Sequence, residues 1–159
     1  NSAAVKDPNL VKEGAEIFGS QCIVGAVDAA IREDKSGWDV YIHGGSKKTE
    51  LDLVEWVKKL EELGAGEILL TSMNRDGTKE GFDINMLDAV VEAVNIPVIA
   101  SGGAGGIDDF IDVFTKINVD AALAASIFHF GEVGIFDLKN ELAKNNIPVR
   151  IEKVSDNNE

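Results

Sequence analysis

Short, nearly unbroken apolar runs recur along this chain at Cys22–Ala30, Glu67–Ser72, Pro97–Ser101 and Ala121–Ile127. Such runs suit strands buried on both faces of a parallel sheet. Between them, apolar residues recur at helical spacing. Leu10, Val11, Ala15, Ile17 and Phe18 give one apolar face, opened by the capping pair Asp7-Pro8 and closed by Gly19. Leu53, Val54, Trp56, Val57 and Leu60 give a second, which stops at Gly64. Thr49-Glu50-Leu51-Asp52 ahead of it reads as a capping box with Asp in place of Glu. Asp83 is placed to cap a helix running through Val94, and further helices are predicted over Asp108–Lys116 and Val133–Lys144. Asp34-Lys35-Ser36-Gly37 is a turn, after which Trp38–His43 can pair back as a short hairpin strand. Asn74–Gly81 is a polar loop, and Val154–Glu159 is polar enough to fray.

The predicted order is one helix followed by four strand-plus-helix units. Alternating strands and helices imply a parallel sheet with right-handed crossovers. No linker or shift in composition divides the chain, so residues 1–152 are expected to form a single domain and 153–159 a disordered tail. Four parallel strands are too few to close a (βα)8 barrel, which takes about 250 residues. The first helix also lacks a preceding strand, so the chain looks cut inside a repeating βα pattern.

Charge narrows the functional classes. The formal net charge of −13 argues against a nucleic-acid or anionic-membrane partner, although a local basic pocket stays possible. No apolar run approaches the ~18 residues of a membrane span, and the N-terminus carries no basic-then-apolar signal, so a cytoplasmic protein is expected. The single cysteine, Cys22, opens an apolar strand and reads as a small buried hydrophobe. His129, between Phe128 and Phe130, reads as packed, and His43 as a surface residue. Two separated histidines without Cys or carboxylate spacing make no metal motif, and no cofactor is expected.

The segment Pro97–Gly106, Pro-Val-Ile-Ala-Ser-Gly-Gly-Ala-Gly-Gly, runs a strand straight into glycines, and Ile107-Asp108-Asp109 then opens a helix. Glycines let the backbone approach closely and a helix N-terminus favours an anion, so this layout suits a phosphate. A second run of small residues at Asp120–Ser126 suggests a shared pocket at two adjacent strand ends. The bland reading is a tight strand-to-helix turn. Asp28 is the lone charge in its strand, near the C-terminal end where parallel α/β proteins hold their ligands. A carboxylate there can act as general acid or base, or it can simply cap a turn or pair with Arg32. Thr71 and Ser72 lead into the donor-rich loop Asn74-Arg75-Asp76-Gly77-Thr78, which could close over a polar ligand; Asp76-Gly77 is also a common turn pair.

Asp28, Leu70–Thr78, Ala100–Gly105 and Ala121–Phe130 fall in one order, and together they resemble the cyclase subunit of imidazole glycerol phosphate synthase, of histidine biosynthesis. The resemblance covers residues 1 to about 152. A related isomerase of the same pathway shares the barrel and the phosphate glycines, but Arg75-Asp76-Gly77-Thr78 and Ser126-Ile127-Phe128-His129-Phe130 favour the cyclase. The resemblance implies the second half of a TIM (βα)8 barrel, an α/β fold of four parallel strands with outer helices, preceded by one extra helix. It implies a lyase in which ammonia from a glutaminase subunit passes through the barrel to a bis-phosphorylated ribulosyl substrate. The products are imidazole glycerol phosphate and the carboxamide precursor of purines. Asp28 matches one of the family's two catalytic aspartates, whose first-half partner has no counterpart here. Gly102, Gly103, Ala125 and Ser126 match one phosphate site, and Asn1 and Ser2 a remnant of the other. Thr71 and Asp76 match substrate-channel residues, and Glu67 one of the charged residues that gate ammonia entry. Asn74 stands where some relatives carry Asp. The exposed edges and apolar interior of a half-barrel predict association, with a first-half barrel chain or with a second copy. The isolated chain is expected to be inactive or weakly active; the alternatives are a lyase competent only as a homodimer or with a first-half chain, or a non-catalytic phosphosugar-binding module.

Overall fold

The computed structural model describes residues 1–151; the expected tail, 153–159, lies outside the described residues. The chain runs α1 (Ser2–Lys6), α2 (Asn9–Phe18), β1 (Val24–Ile31), β2 (Trp38–Ile42), β3 (Lys47–Asp52) and α3 (Leu53–Glu62). It continues β4 (Glu67–Ser72), α4 (Ile84–Val91), β5 (Val98–Ser101), α5 (Ile107–Lys116), β6 (Ala121–Leu123), α6 (Ser126–His129) and α7 (Ile135–Lys144). One six-stranded sheet has the order β3-β2-β1-β4-β5-β6. Strands β1, β4, β5 and β6 are mutually parallel, and the hairpin β2-β3 adds two antiparallel strands beside β1. This is a partial TIM barrel with a hairpin on one flank.

Alternation along the parallel strands builds the core. Val27, Ala29, Ile68, Leu70, Val98 and Ala100 are at most 1% exposed and point to one face of the sheet. Leu53, Val57 and Leu60 of α3, Met86, Leu87 and Val90 of α4, and Phe110 and Val113 of α5 pack against that face. Each fully buried large aliphatic contributes about 1.5–3 kcal/mol, so this layer carries most of the stability. Two carboxylates start the covering helices: Asp52 Oδ1 accepts from Glu55 N–H at 3.1 Å and Asp83 Oδ1 from Met86 N–H at 3.1 Å.

The opposite face is built by the alternate residues, and none of them is fully buried. They form rows across the sheet. Ala26, Leu69, Ile99 and Ala121 lie in register, and one step toward the strands' C-terminal ends lie Asp28, Thr71, Ser101 and Leu123. Glu67 begins this face at the other end, opposite Val24.

Several sequence expectations are corrected. The box Thr49–Asp52 does not start α3: Thr49 lies in β3, where its hydroxyl donates to Val40 O at 2.7 Å, and Asp52 alone is the cap. Asp7 does hold a helix start, accepting from Asn9 N–H at 3.1 Å, but Pro8 stands at the cap position rather than inside α2, and α1 precedes them. The run Ala121–Ile127 is not one strand; β6 ends at Leu123 and Ser126 already belongs to α6. The helix capped by Asp83 ends at Val91, short of Val94. Cys22 is exposed, because the chain enters β1 through a 3₁₀ turn at Ser20–Cys22 instead of through strand. His129 is exposed and meets Phe130 edge-on, with ring centroids 4.9 Å apart, so it is not packed between aromatics.

Candidate functional site

The C-terminal ends of the parallel strands gather most of the residues singled out above. Asp28 ends the polar row of the open face, with Thr71 directly beside it in register. Asp28, Thr71 and Asp76 line one cavity of about 340 Å³, closed at the side by Gly44, Gly45 and Met73. The Asp28 carboxylate accepts a hydrogen bond from the Asn1 side-chain amide, Nδ2 to Oδ2, at 2.7 Å. The other amide atom, Asn1 Oδ1, is buried without a partner among the described residues. Ser2 Oγ accepts from His43 N–H at 2.8 Å and ties the N-terminal helix to the hairpin turn.

Arg32 does not neutralise Asp28. Its guanidinium donates to Asp39 at 2.8 Å and to Asp52 at 2.7 Å. Lys48 Nζ reaches the second oxygen of Asp39 at 2.6 Å. Lys48 first, and Arg32 second, hold the Asp39 carboxyl below the usual carboxylate range. Asp39 in turn raises both cations above their ordinary values, with Asp52 contributing at Arg32. This network locks the hairpin to the start of α3 and leaves the Asp28 cavity outside it.

A second cavity, about 160 Å³, adjoins the first and shares Asp76 with it. Gly102, Gly103, Ala125 and Ser126 line it, together with Lys79, Ser101 and Leu123. Two constraints make Gly102 and Gly103 necessary. Their φ angles are +90° and +105°, a region that L side chains seldom adopt. A Cβ would also sit 2.7 Å from Ser72 O at Gly102 and 2.2 Å from Gly81 O at Gly103. Loop 73–81 lies directly on the glycine turn, and Gly81 N–H donates to Gly103 O at 2.8 Å.

The first turn of α5 does not line this cavity. The Asp109 carboxylate accepts from Gly105 N–H at 2.7 Å and from Gly106 N–H at 3.0 Å, the two amides just ahead of the helix. The cavity is lined by Gly102, Gly103, Ala125 and Ser126 rather than by the helix start.

Glu67 stands apart from these residues. It occupies the N-terminal end of β4, four residues before Thr71, so about 13 Å from that row at strand rise. Asn74 has a structural partner: its Oδ1 accepts from Ile31 N–H at 2.8 Å, fastening the loop to the end of β1. Among the described residues no cluster of His, Cys, Asp and Glu could hold a metal ion, and no helix is long and apolar enough to cross a membrane.

Sequence reasoning missed Lys79, Met73 and the Gly44-Gly45 turn. The glycine pair does signal a turn. Its place beside Asp28 follows from the antiparallel register of Asp28 with Tyr41, which no short-range pattern fixes. The role of Asn1 as the hydrogen-bond donor to Asp28 was also missed.

Comparison with known proteins gives the family. A family profile described as "Histidine biosynthesis protein" matches residues 1–134. The imidazole glycerol phosphate synthase subunit HisF of Lactococcus lactis subsp. cremoris (strain SK11) is 59% identical over 153 residues, covering 96% of this chain and 59% of that protein. The same subunit from Clostridium botulinum (strain Langeland / NCTC 10281 / Type F) is 56% identical over 151 residues, covering 95% of this chain and 60% of that protein. The chain thus spans about three-fifths of the length of these curated relatives. A profile matching 134 consecutive residues, over the strands and loops that build both cavities, establishes that this chain belongs to the histidine biosynthesis protein family.

Proposed function

We propose that this chain forms the C-terminal half of an imidazole glycerol phosphate synthase cyclase, working in the cytoplasm. The reaction uses ammonia to convert a bis-phosphorylated ribulosyl aminoimidazole carboxamide into imidazole glycerol phosphate and the aminoimidazole carboxamide ribotide. The observation that carries this reading is the shared wall at Asp76, which sets a cavity holding the Asp28 carboxylate against one lined by Gly102, Gly103 and Ser126. A substrate with a phosphate in the smaller cavity would extend its reacting end into the larger one.

In this account Asp28 moves a proton as general acid or base, and Asn1 fixes the orientation of its carboxylate. Thr71 and Asp76 line the path of the substrate, and Ala125 and Ser126 complete the phosphate cavity. Asn1 and Ser2 lie where a second phosphate would be bound. Glu67, at the far end of the open face, stands where ammonia delivered by a glutaminase subunit would enter. The open face is completed by a first-half barrel chain or by a second copy.

The test is ammonia-dependent turnover, by this chain alone and with a chain supplying the first barrel half. Turnover in the assembly, with little from the chain alone, supports the reading. Phosphate affinity with no turnover in any assembly would instead favour a non-catalytic phosphosugar-binding module.

A further inference from the structure

The smaller cavity is lined by glycine and alanine backbone, by Ser101 and Ser126, and by one acid, Asp76, in a chain of net charge −13. The acid and the net charge both oppose a phosphate. The start of α5 does not line the cavity. Among the described residues lining the cavity, Lys79 is the only basic one.

Its placement is constrained. Lys79 has φ +59°, a left-handed backbone unusual outside glycine. Its carbonyl lies so close to Gly105 that a Cβ on that glycine would sit 2.5 Å away. The backbone of Lys79 is thereby held against the glycine turn. Its ammonium is bound to both oxygens of Glu132, at 2.6 and 2.7 Å. Both side chains are about two-fifths exposed, so this pair is accessible to solvent and exchangeable.

We propose that Lys79 is the cationic ligand of this phosphate cavity, and that Glu132 holds its ammonium until an anion displaces it. The proposal rests on the reading of the cavity as a phosphate site. Binding exchanges one anionic partner of Lys79 for another, so the ammonium is never left without a counter-charge. Glu132 then competes with phosphate, while it also keeps the loop in place over the glycine turn.

The competition gives opposite signs for two substitutions. Inorganic phosphate is titrated into the whole chain while the amide signals of Gly102, Gly103 and Ser126 are followed by NMR. Lys79→Gln keeps the stem length and the backbone restriction but removes the charge; it should weaken phosphate about five- to tenfold, as for loss of a charge-assisted hydrogen bond at a partly exposed site. Glu132→Gln removes the competitor and should tighten phosphate by about two- to fivefold. Lys79→Arg should keep most of the affinity. Each variant is checked for an unchanged amide spectrum away from the loop. Equal weakening in Lys79→Gln and Glu132→Gln would make the pair a strap alone and overturn the proposal, as would unchanged affinity in Lys79→Gln. Absence of any shift at the glycine turn in the unsubstituted chain would instead overturn the phosphate reading itself.

Discussion

The two faces of the central sheet are made by neighbouring residues of the same strands, yet they end in different states. Leu70 is wholly buried beneath the helices, whereas Leu69, one residue earlier, belongs to the open row with Ala26, Ile99 and Ala121. The helix-covered face is completed by this chain's own α3, α4 and α5. The other face carries Asp28, Thr71 and the approach to Glu67, and its residues are half-buried or exposed. Stability therefore resides on one side of the sheet and the candidate chemistry on the other. A substitution should be felt in folding or in function according to the direction its side chain points.

The largest expected effect lies on the open face. In an assembly that turns over with ammonia, Asp28→Asn should lower turnover about 10²–10⁴-fold, the range for loss of a general acid–base group. Thermal stability and phosphate affinity should hardly change, because the glycine turn lies on other strands. Near-normal turnover would leave Asp28 a structural residue.

The adjacent pair Leu69 and Leu70 sharpens the contrast. Leu70→Ala empties a fully buried site and should cost about 2–5 kcal/mol in urea unfolding. Leu69→Ala should cost well under half as much in the isolated chain, and more once a partner covers the open face. Equal costs in the isolated chain would mean that the two faces are not distinct.

Gly103→Val strains both cavities together. The valine would need φ +105° and would meet Gly81 O, so the loop must lift from the turn. The expected losses are about 1–3 kcal/mol of stability, together with most of the phosphate affinity. The nearest obstacle is the loop that lies on the glycine turn.

The smallest effect concerns acid. Lys48 and Arg32 lower the folded-state pKa of Asp39 below its unfolded value of about 4. Asp39 therefore contributes stability that is fully present above pH ~4 and is lost as pH falls through its lower folded value. Thermal melts recorded between pH 6 and pH 3 should show a steeper decline for the unsubstituted chain than for Asp39→Asn, which has lost the titrating group. Parallel declines would remove Asp39 from the acid response.

Much of this was legible where local chemistry decides the outcome. The strand Glu67–Ser72 and the cap at Asp83 were read as they occur, because alternation and a capping carboxylate are short-range signals. Asp28, Thr71 and Asp76 were picked out one at a time, and the structure gathers them in one cavity. What escaped depends on tertiary register. Thr49 caps well in isolation, but β3 takes it as the partner of Val40. Ala121–Ile127 looked like a strand because small apolar residues fit one, yet the chain turns after Leu123 and starts α6 at Ser126. Asp109 reads in the sequence only as part of a helix start, and its carboxylate also accepts from the Gly105 and Gly106 amides just ahead of α5.

The edges of the sheet carry the same contrast. The hairpin strand β2 pairs with β1 only from Asp28 to Ile31, so Val24–Val27 present an unpaired edge on that side among the described residues. At the other end β6 has no outer neighbour among the described residues, and an apolar cleft of about 710 Å³ lined by Phe110, Phe128, Leu138 and Leu142 runs beside it. Unpaired edges and uncovered apolar surface promote association. The measurement that bears most directly on the account is the mass in solution by light scattering at micromolar concentration, with and without a chain supplying the first barrel half. The account predicts a dimer or larger species for the chain by itself, and a one-to-one complex when the other half is present. A 17.0 kDa monomer that melts cooperatively and ignores the other half would contradict it, because the open face would then need no partner.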